Sequence, residues 1–369
     1  MIVSNSNVCS SPGAAEAPLP AEALQGIVTG LAASSGAPGA VLAVSRAGHT
    51  WSGAAGFQDL ERTRPMHADV SFRAGSITKM FTGAIIMQLV EEGKLSLDDK
   101  LSEWFPKFPH AQDITIDMLL SHTAGVGTRW LDEPAIQLRV SSDLGHVFTS
   151  EELLELAHAL PPEGAPGAVG LAYSNAGFVL LGEIASRITG SSIAELFEAR
   201  IFAPLGLEHT SYQFDNPPEL TSGYFEFAGM PLDAASLPQQ AVLSLAGAAG
   251  ALHSKATDLL RFQHAFFEDS TFLSEAALAH MKTEGDRGAS FLGGGYGRAL
   301  MALAPRADGS GYAAYGHGGN LPGYWSLASY FPEKKLAVTV MINATAHDGE
   351  PIDRSALDAA AAAAFEAIP

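Results

Sequence analysis

Strand-forming runs lie at both ends of this chain and helical ones fill its middle, an order that restricts the fold more than any single residue does. Near the start, Ala40 to Arg46 and Thr50 to Phe57 read as two strands turning at Ala47-Gly48-His49. Near the end, Ser326 to Phe331 and Leu336 to Ile342 are joined by the polar turn Pro332-Glu333-Lys334-Lys335. Between them, from Ser76 to about Met281, the pattern is mostly helical with long loops. Ala21 to Ser34 suggests a first helix, and the alanine-rich segment Asp353 to Ala367 a last one. Strands and helices segregated in this way predict an α+β protein. Residues 1–20 read as a flexible Ser/Pro/Ala tail.

With 369 residues, 47% of them apolar, the chain can bury a large core and is long enough for two lobes. Acidic residues outnumber basic ones 40 to 21, giving a formal charge of −19 that disfavours nucleic acid or an anionic membrane as partner. Cys9 is the 1 cysteine present, so no intrachain disulfide or cysteine zinc cluster can form. No run approaches the ~18 apolar residues of a membrane span. The first twenty residues carry no basic-then-apolar leader pattern, and a cytoplasmic location is the expectation. His-Glu-x-x-His and Gly-x-Ser-x-Gly are both missing, and Gly293-Gly294-Gly295 has neither a Walker lysine nor dinucleotide spacing. The histidines are scattered, so no metal and no other cofactor is implied.

Three short motifs carry chemistry. Ser76-Ile77-Thr78-Lys79 opens a helix, because Met80, Phe81, Ala84, Ile85, Leu89 and Val90 follow at helical spacing and Gly93 supplies a stop. At a first turn, free N–H groups and the dipole favour developing negative charge beside the Ser76 hydroxyl. Lys79 lies one turn on, on the same face, where its amine can reach that hydroxyl. A plain N-cap with a solvated lysine would read the same way. Tyr173-Ser174-Asn175 stands between the Gly/Pro-rich stretch from Pro161 to Gly170 and an apolar helix from Ala176 to Ile188. An ammonium close by would favour the phenolate and make Tyr173 a general base, while Asn175 could bind Lys79 or a substrate amide. The alternative is a turn with Tyr173 packed beneath it. In His317-Gly318-Gly319 the two glycines let backbone approach a ligand closely; the alternative is a glycine turn with an incidental histidine.

In this order and spacing the three motifs resemble those of the serine β-lactamase and penicillin-recognising family, over about Gly39 to Asn343. Phe72-Arg73-Ala74-Gly75 and Leu120-Ser121-His122-Thr123-Ala124-Gly125 extend the resemblance, which is nearest to class C β-lactamases, D-aminopeptidases, D,D-peptidases and related esterases. It implies an antiparallel sheet built from both chain ends (21–75 and 285–369), an inserted helical lobe (76–284) and a cleft between them. It also implies a covalent acyl-enzyme on Ser76, with Lys79 easing deprotonation and Tyr173 as base and then proton donor. Asn175 would position Lys79 and substrate. The backbone N–H groups of Ser76 and Asn320 would form the oxyanion hole. His317 would face the cleft, binding a carboxylate or assisting proton transfer. In that setting His122 reads as a structural turn residue.

Class C β-lactamases have Lys-Thr-Gly where this chain has His317-Gly318-Gly319, so efficient β-lactam hydrolysis is not expected. An amide or peptide, some with D-residues, is the first expected substrate class; an ester is second, and a non-catalytic binding or self-assembling protein is the reading from outside enzymology. The partner is then a small molecule or short peptide. Two long loops are expected either to shape its pocket or to pack their aromatics over the helical lobe: Gly125 to Phe148, with Arg129, Trp130 and Arg139, and Tyr212 to Leu245, with Tyr224, Phe225 and Phe227. Tyr312, Tyr315, Tyr324 and Trp325 flank the third motif, and Tyr315 and Trp130 join Gly318 and Gly319 as expected substrate contacts.

Overall fold

The computed structural model describes residues 18–127, 133–168, 170–227, 229–283, 295–305, 312–347, 350–352 and 354–369. Six strands form the main sheet: β1 (Gly39–Arg46), β2 (His49–Gly56), β3 (Met301–Pro305), β4 (Tyr312–Leu321), β5 (Tyr324–Phe331) and β6 (Leu336–Ile342). Their spatial order is β2-β1-β6-β5-β4-β3, antiparallel throughout. β1 and β6 join the two chain ends, Ala40 lying opposite Ile342 and Arg46 opposite Leu336. The β1–β2 turn puts Ala47 and Gly48 at φ 49° and 80°, the left-handed pair that suits the twist of a tight hairpin.

Alternation along the strands gives the sheet two buried faces. Leu42, Val44, Val338 and Val340 pack against the helices α1 (Ala21–Ser34) and α5 (Ser355–Ala367) through Leu24, Val28, Leu31, Leu357 and Ala364. Val41, Ala43, Ala337 and Met341 face a larger core that includes α2 (Thr78–Glu91), α3 (Asn175–Thr189) and α4 (Ala256–Glu268). α2 is buried on nearly every side, from Thr78 through Met87, and Phe81 stacks on Phe262 with ring centroids 3.6 Å apart. A helix so enclosed has little freedom to shift, and it carries Lys79.

The two long loops contain structure that the sequence pattern hides. Pro134–Ser142 is helical, Tyr224–Phe227 pairs with Met230–Asp233, and Gln240–Ala246 forms another helix. Four-residue strands interrupted by Pro231 and Gly229 are too short for periodicity to show.

Candidate active site

Ser76 sits in a short 3-10 turn, Gly75–Ile77, that runs into α2. Gly75 has φ 53°, and a Cβ on it would stand 2.6 Å from the backbone N of Asn320. A Cβ on Gly319 would lie 1.9 Å from the Ala74 carbonyl oxygen. The end of β4 is thus pressed against the turn that holds Ser76, and glycine is needed on both surfaces. Ser326 Oγ donates to the same Ala74 carbonyl at 2.9 Å, which fixes the contact.

Lys79 is fully buried, with Nζ 3.0 Å from Ser76 Oγ, 2.7 Å from Asn175 Oδ1 and 2.9 Å from the Ala249 carbonyl. Asn175 is the first residue of α3, whose N-cap is Ser174: its Oγ accepts from Gly177 N at 3.1 Å and donates to Gly127 O at 3.0 Å. The Tyr173 ring centroid is 4.8 Å from Lys79 Nζ, and the Ser76 hydroxyl is near enough to the phenol to oppose the upward push of burial on its pKa. Four of the residues singled out in the first two motifs, Ser76, Lys79, Tyr173 and Asn175, therefore converge.

Their protonation differs from what the sequence suggests. Burial pushes Lys79 well below the ordinary lysine range and pushes Tyr173 above the ordinary phenol range. A neutral amine and a neutral phenol hold as many protons as an ammonium and a phenolate, and they avoid charge separation inside the protein. Neutral Lys79 can donate to Asn175 Oδ1 and to Ala249 O and turn its lone pair toward the Ser76 hydroxyl.

His317 departs further from the expectation of a side chain facing the cleft to bind a carboxylate or assist proton transfer. It is fully buried; Nδ1 lies 2.6 Å from the Gly318 carbonyl and Nε2 3.1 Å from the Tyr296 hydroxyl. Nδ1 therefore carries the proton and Nε2 accepts from Tyr296. Burial lowers its pKa to about 3. A neutral imidazole with both nitrogens engaged is no carboxylate receptor. Tyr296 was missed in the sequence; its one signal is an aromatic residue directly after the Gly293-Gly294-Gly295 run. Gly318 is also buried, and a Cβ on it would meet Arg354 Nη1 at 3.1 Å.

The remaining expected contacts scatter. Tyr315 is half-buried against the helical-side core, with Lys282 Nζ 5.1 Å from its ring. Trp130 and Arg129 lie outside the described residues. Arg139 pairs with Glu152 and stacks on Phe148. Tyr324 is buried, donating from its hydroxyl to Thr221 O at 2.7 Å, so it supports the fold and does not line a cleft. Phe227 is 60% exposed and Tyr224 is buried. Among the described residues, no group of 3 or more His, Cys, Asp or Glu could hold a metal ion.

A family model described as Beta-lactamase matches residues 24–363. The chain belongs to the β-lactamase family. Esterase EstB from Burkholderia gladioli is 31% identical over 356 residues, covering 84% of this chain and 87% of the esterase. Penicillin-binding protein 4* from Bacillus subtilis (strain 168) is 31% identical over 255 residues, 65% of this chain and 54% of that protein. Among solved structures, the D-amino acid amidase from Ochrobactrum anthropi SV3 superposes with a TM-score of 0.80 at 28% identity, covering 94% of this chain and 97% of that one. A D-stereospecific amidohydrolase from Streptomyces sp. gives 0.78 at 28% identity, with 94% and 98% covered. Members of this β-lactamase family group are serine hydrolases, and so is this chain; amide and ester cleavage both occur within the group.

Proposed function

We propose that this serine hydrolase cleaves amide bonds in small substrates that carry a D-amino acid, through an acyl-enzyme on Ser76. The observation that carries the amide reading is the Tyr173 ring 4.8 Å from Lys79 Nζ, which itself lies 3.0 Å from Ser76 Oγ, in a setting where burial favours the protonated phenol and the neutral amine. An amine is a poor leaving group until its nitrogen gains a proton, whereas an alkoxide leaves an ester more readily; a phenol kept protonated by burial suits the harder task. Ser76 Oγ attacks the carbonyl carbon and its proton passes to Lys79 Nζ, 3.0 Å away. The oxyanion that forms faces the N–H groups of Ser76 and Asn320, either of which is worth ~10²–10³ in rate. Tyr173 then protonates the leaving nitrogen as the C–N bond breaks, and recovers a proton from Lys79. Water releases the acyl group by the reverse route. Asn175 holds Lys79 in line, and His317 with Tyr296 braces the site from beneath.

The D-preference is supported by likeness to the D-amino acid amidase along 94% of this chain. A second reading, carboxylesterase, is favoured by the 31% identity to esterase EstB. The deciding test is kcat/KM for matched p-nitroanilides and p-nitrophenyl esters of D- and L-alanine, with Ser76→Ala as the blank. Turnover of the D-anilide is expected; turnover of esters alone, blind to chirality, makes the enzyme an esterase. A Ser76→Ala protein keeping more than about 10⁻³ of the wild-type rate would remove Ser76 as nucleophile.

A further inference from the structure

We infer that His122 is a positioning residue that clamps Tyr173, on the proposed reading that Tyr173 moves protons for Ser76. Three contacts converge on one tyrosine. The amide of Ala172, just before it, donates to the His122 carbonyl at 2.9 Å. The amide of Ser174, just after it, donates to His122 Nδ1 at 3.0 Å. Between these two bonds the His122 and Tyr173 rings pack with centroids 4.2 Å apart and a tilt of 39°. A single residue from a different segment thus grips the tyrosine's backbone on both sides and its ring in the middle.

The state of the imidazole follows from the contacts. Nδ1 accepts from an amide, so it bears no proton, and the ring proton sits on Nε2. Nε2 is buried and has no hydrogen-bond partner among the described residues. Around the ring stand Tyr173, Tyr296 at 4.6 Å and Phe178 at 5.1 Å between centroids. A buried N–H without a partner costs free energy, so stability alone would not select this side chain. The backbone adds a second cost, since His122 has φ 56°, a left-handed conformation in which a residue other than glycine is held at some expense. A turn by itself needs neither the ring nor the Nδ1 lone pair. The two together hold the phenol beside Ser76, and a misplacement of roughly 1 Å at a reacting group can cost ~10² in rate.

Two substitutions separate the components. His122→Asn keeps an acceptor for the Ser174 amide and suits the positive φ, but removes the ring. His122→Phe keeps a ring and removes the acceptor. The readouts are kcat and KM on the best alanine substrate from the panel above, and the rate at which a fluorophosphonate probe labels Ser76 with loss of fluoride. We expect kcat and labelling rate to fall about tenfold in His122→Asn and about a hundredfold in His122→Phe, with KM within about threefold of wild type. Ser76→Ala must take no label; labelling there defeats the serine assignment, and the clamp that rests on it falls for that separate reason. With that control clean, wild-type labelling and kcat in a folded His122→Asn protein overturn the clamp. So does an effect confined to KM. If His122→Phe does not fold, His122→Asn decides alone.

Discussion

Two buried polar clusters lie close together in the chain, and only one of them is poised to react. Around Arg73, three residues before Ser76, the charged and ring groups are tied to fixed partners, although the buried hydroxyls of Ser71 and Thr221 have none among the described residues. Its guanidinium donates to Asn216 Oδ1 and the Asp215 carbonyl and meets His253 Nδ1 at 3.5 Å; His253 Nε2 is 2.8 Å from Ser211 Oγ. Nearby, Asp258 is fully buried and accepts from His209 N at 2.8 Å, Thr210 Oγ1 at 3.2 Å and Arg261 Nη1 at 2.9 Å. The cluster around Lys79 has a buried amine whose pKa is lowered by burial alone, an unpartnered His122 Nε2, and an outlet at half-buried Ser76 and exposed Asn320. His253 and His317 are both lowered to about 3, so a depressed histidine does not by itself mark a reactive site. What distinguishes the reactive cluster is incomplete satisfaction next to solvent.

Breaking the structural cluster should cost stability and spare chemistry. Asp258→Leu strips acceptors from His209 and Thr210 and should destabilise the fold by about 3 kcal/mol in urea titration, with kcat per folded molecule within about twofold of wild type. A large loss of kcat in fully folded protein would erase the distinction. Altering the reactive cluster should do the opposite. Asn175→Asp places a carboxylate where Oδ1 stands 2.7 Å from Lys79 Nζ and raises the lysine pKa. Protonated Lys79 cannot accept from Ser76, so activity is present above its pKa and disappears as pH falls through it. The acidic limb of the kcat/KM profile should therefore move to higher pH by about 1–3 units. A limb that stays or moves down removes Lys79 as the base. Ser174→Ala sharpens the boundary between the clusters, because it loses the helix cap at α3 and the hydrogen bond to Gly127 O but no contact with Lys79. We expect about 1 kcal/mol by thermal unfolding and little change in kcat.

Legibility followed the length scale of the interactions. The Ser76–Lys79 pair was readable because it needs only one helical turn, and both terminal hairpins were readable because their turns are local. Family resemblance then tied Tyr173, Asn175 and His317 to that pair across long separations. Protonation was not readable: Lys79 and Tyr173 were expected as ammonium and phenolate, and enclosure of α2 on all sides reverses that balance. The same burial takes His317, expected to face the cleft, and makes it a support for β4 bonded to Tyr296. Tyr296 escaped and His122 was read only as a structural turn residue, because the contacts of Tyr296 with His317 and of His122 with Tyr173 join separate segments.

The seam where β4 meets the Ser76 turn also sets the moment at which the enzyme becomes live. A ribosome delivers Ser76 and Lys79 long before it delivers Asn320, and β1 waits for β6 to close the sheet. Until that late strand arrives, the Ser76 turn lacks the Gly319 and Asn320 backbone that packs against Ala74 and Gly75. Contacts of such long sequence separation form slowly. The nascent chain is therefore inert toward its surroundings, and the first acyl transfer reports that folding has reached its last strands.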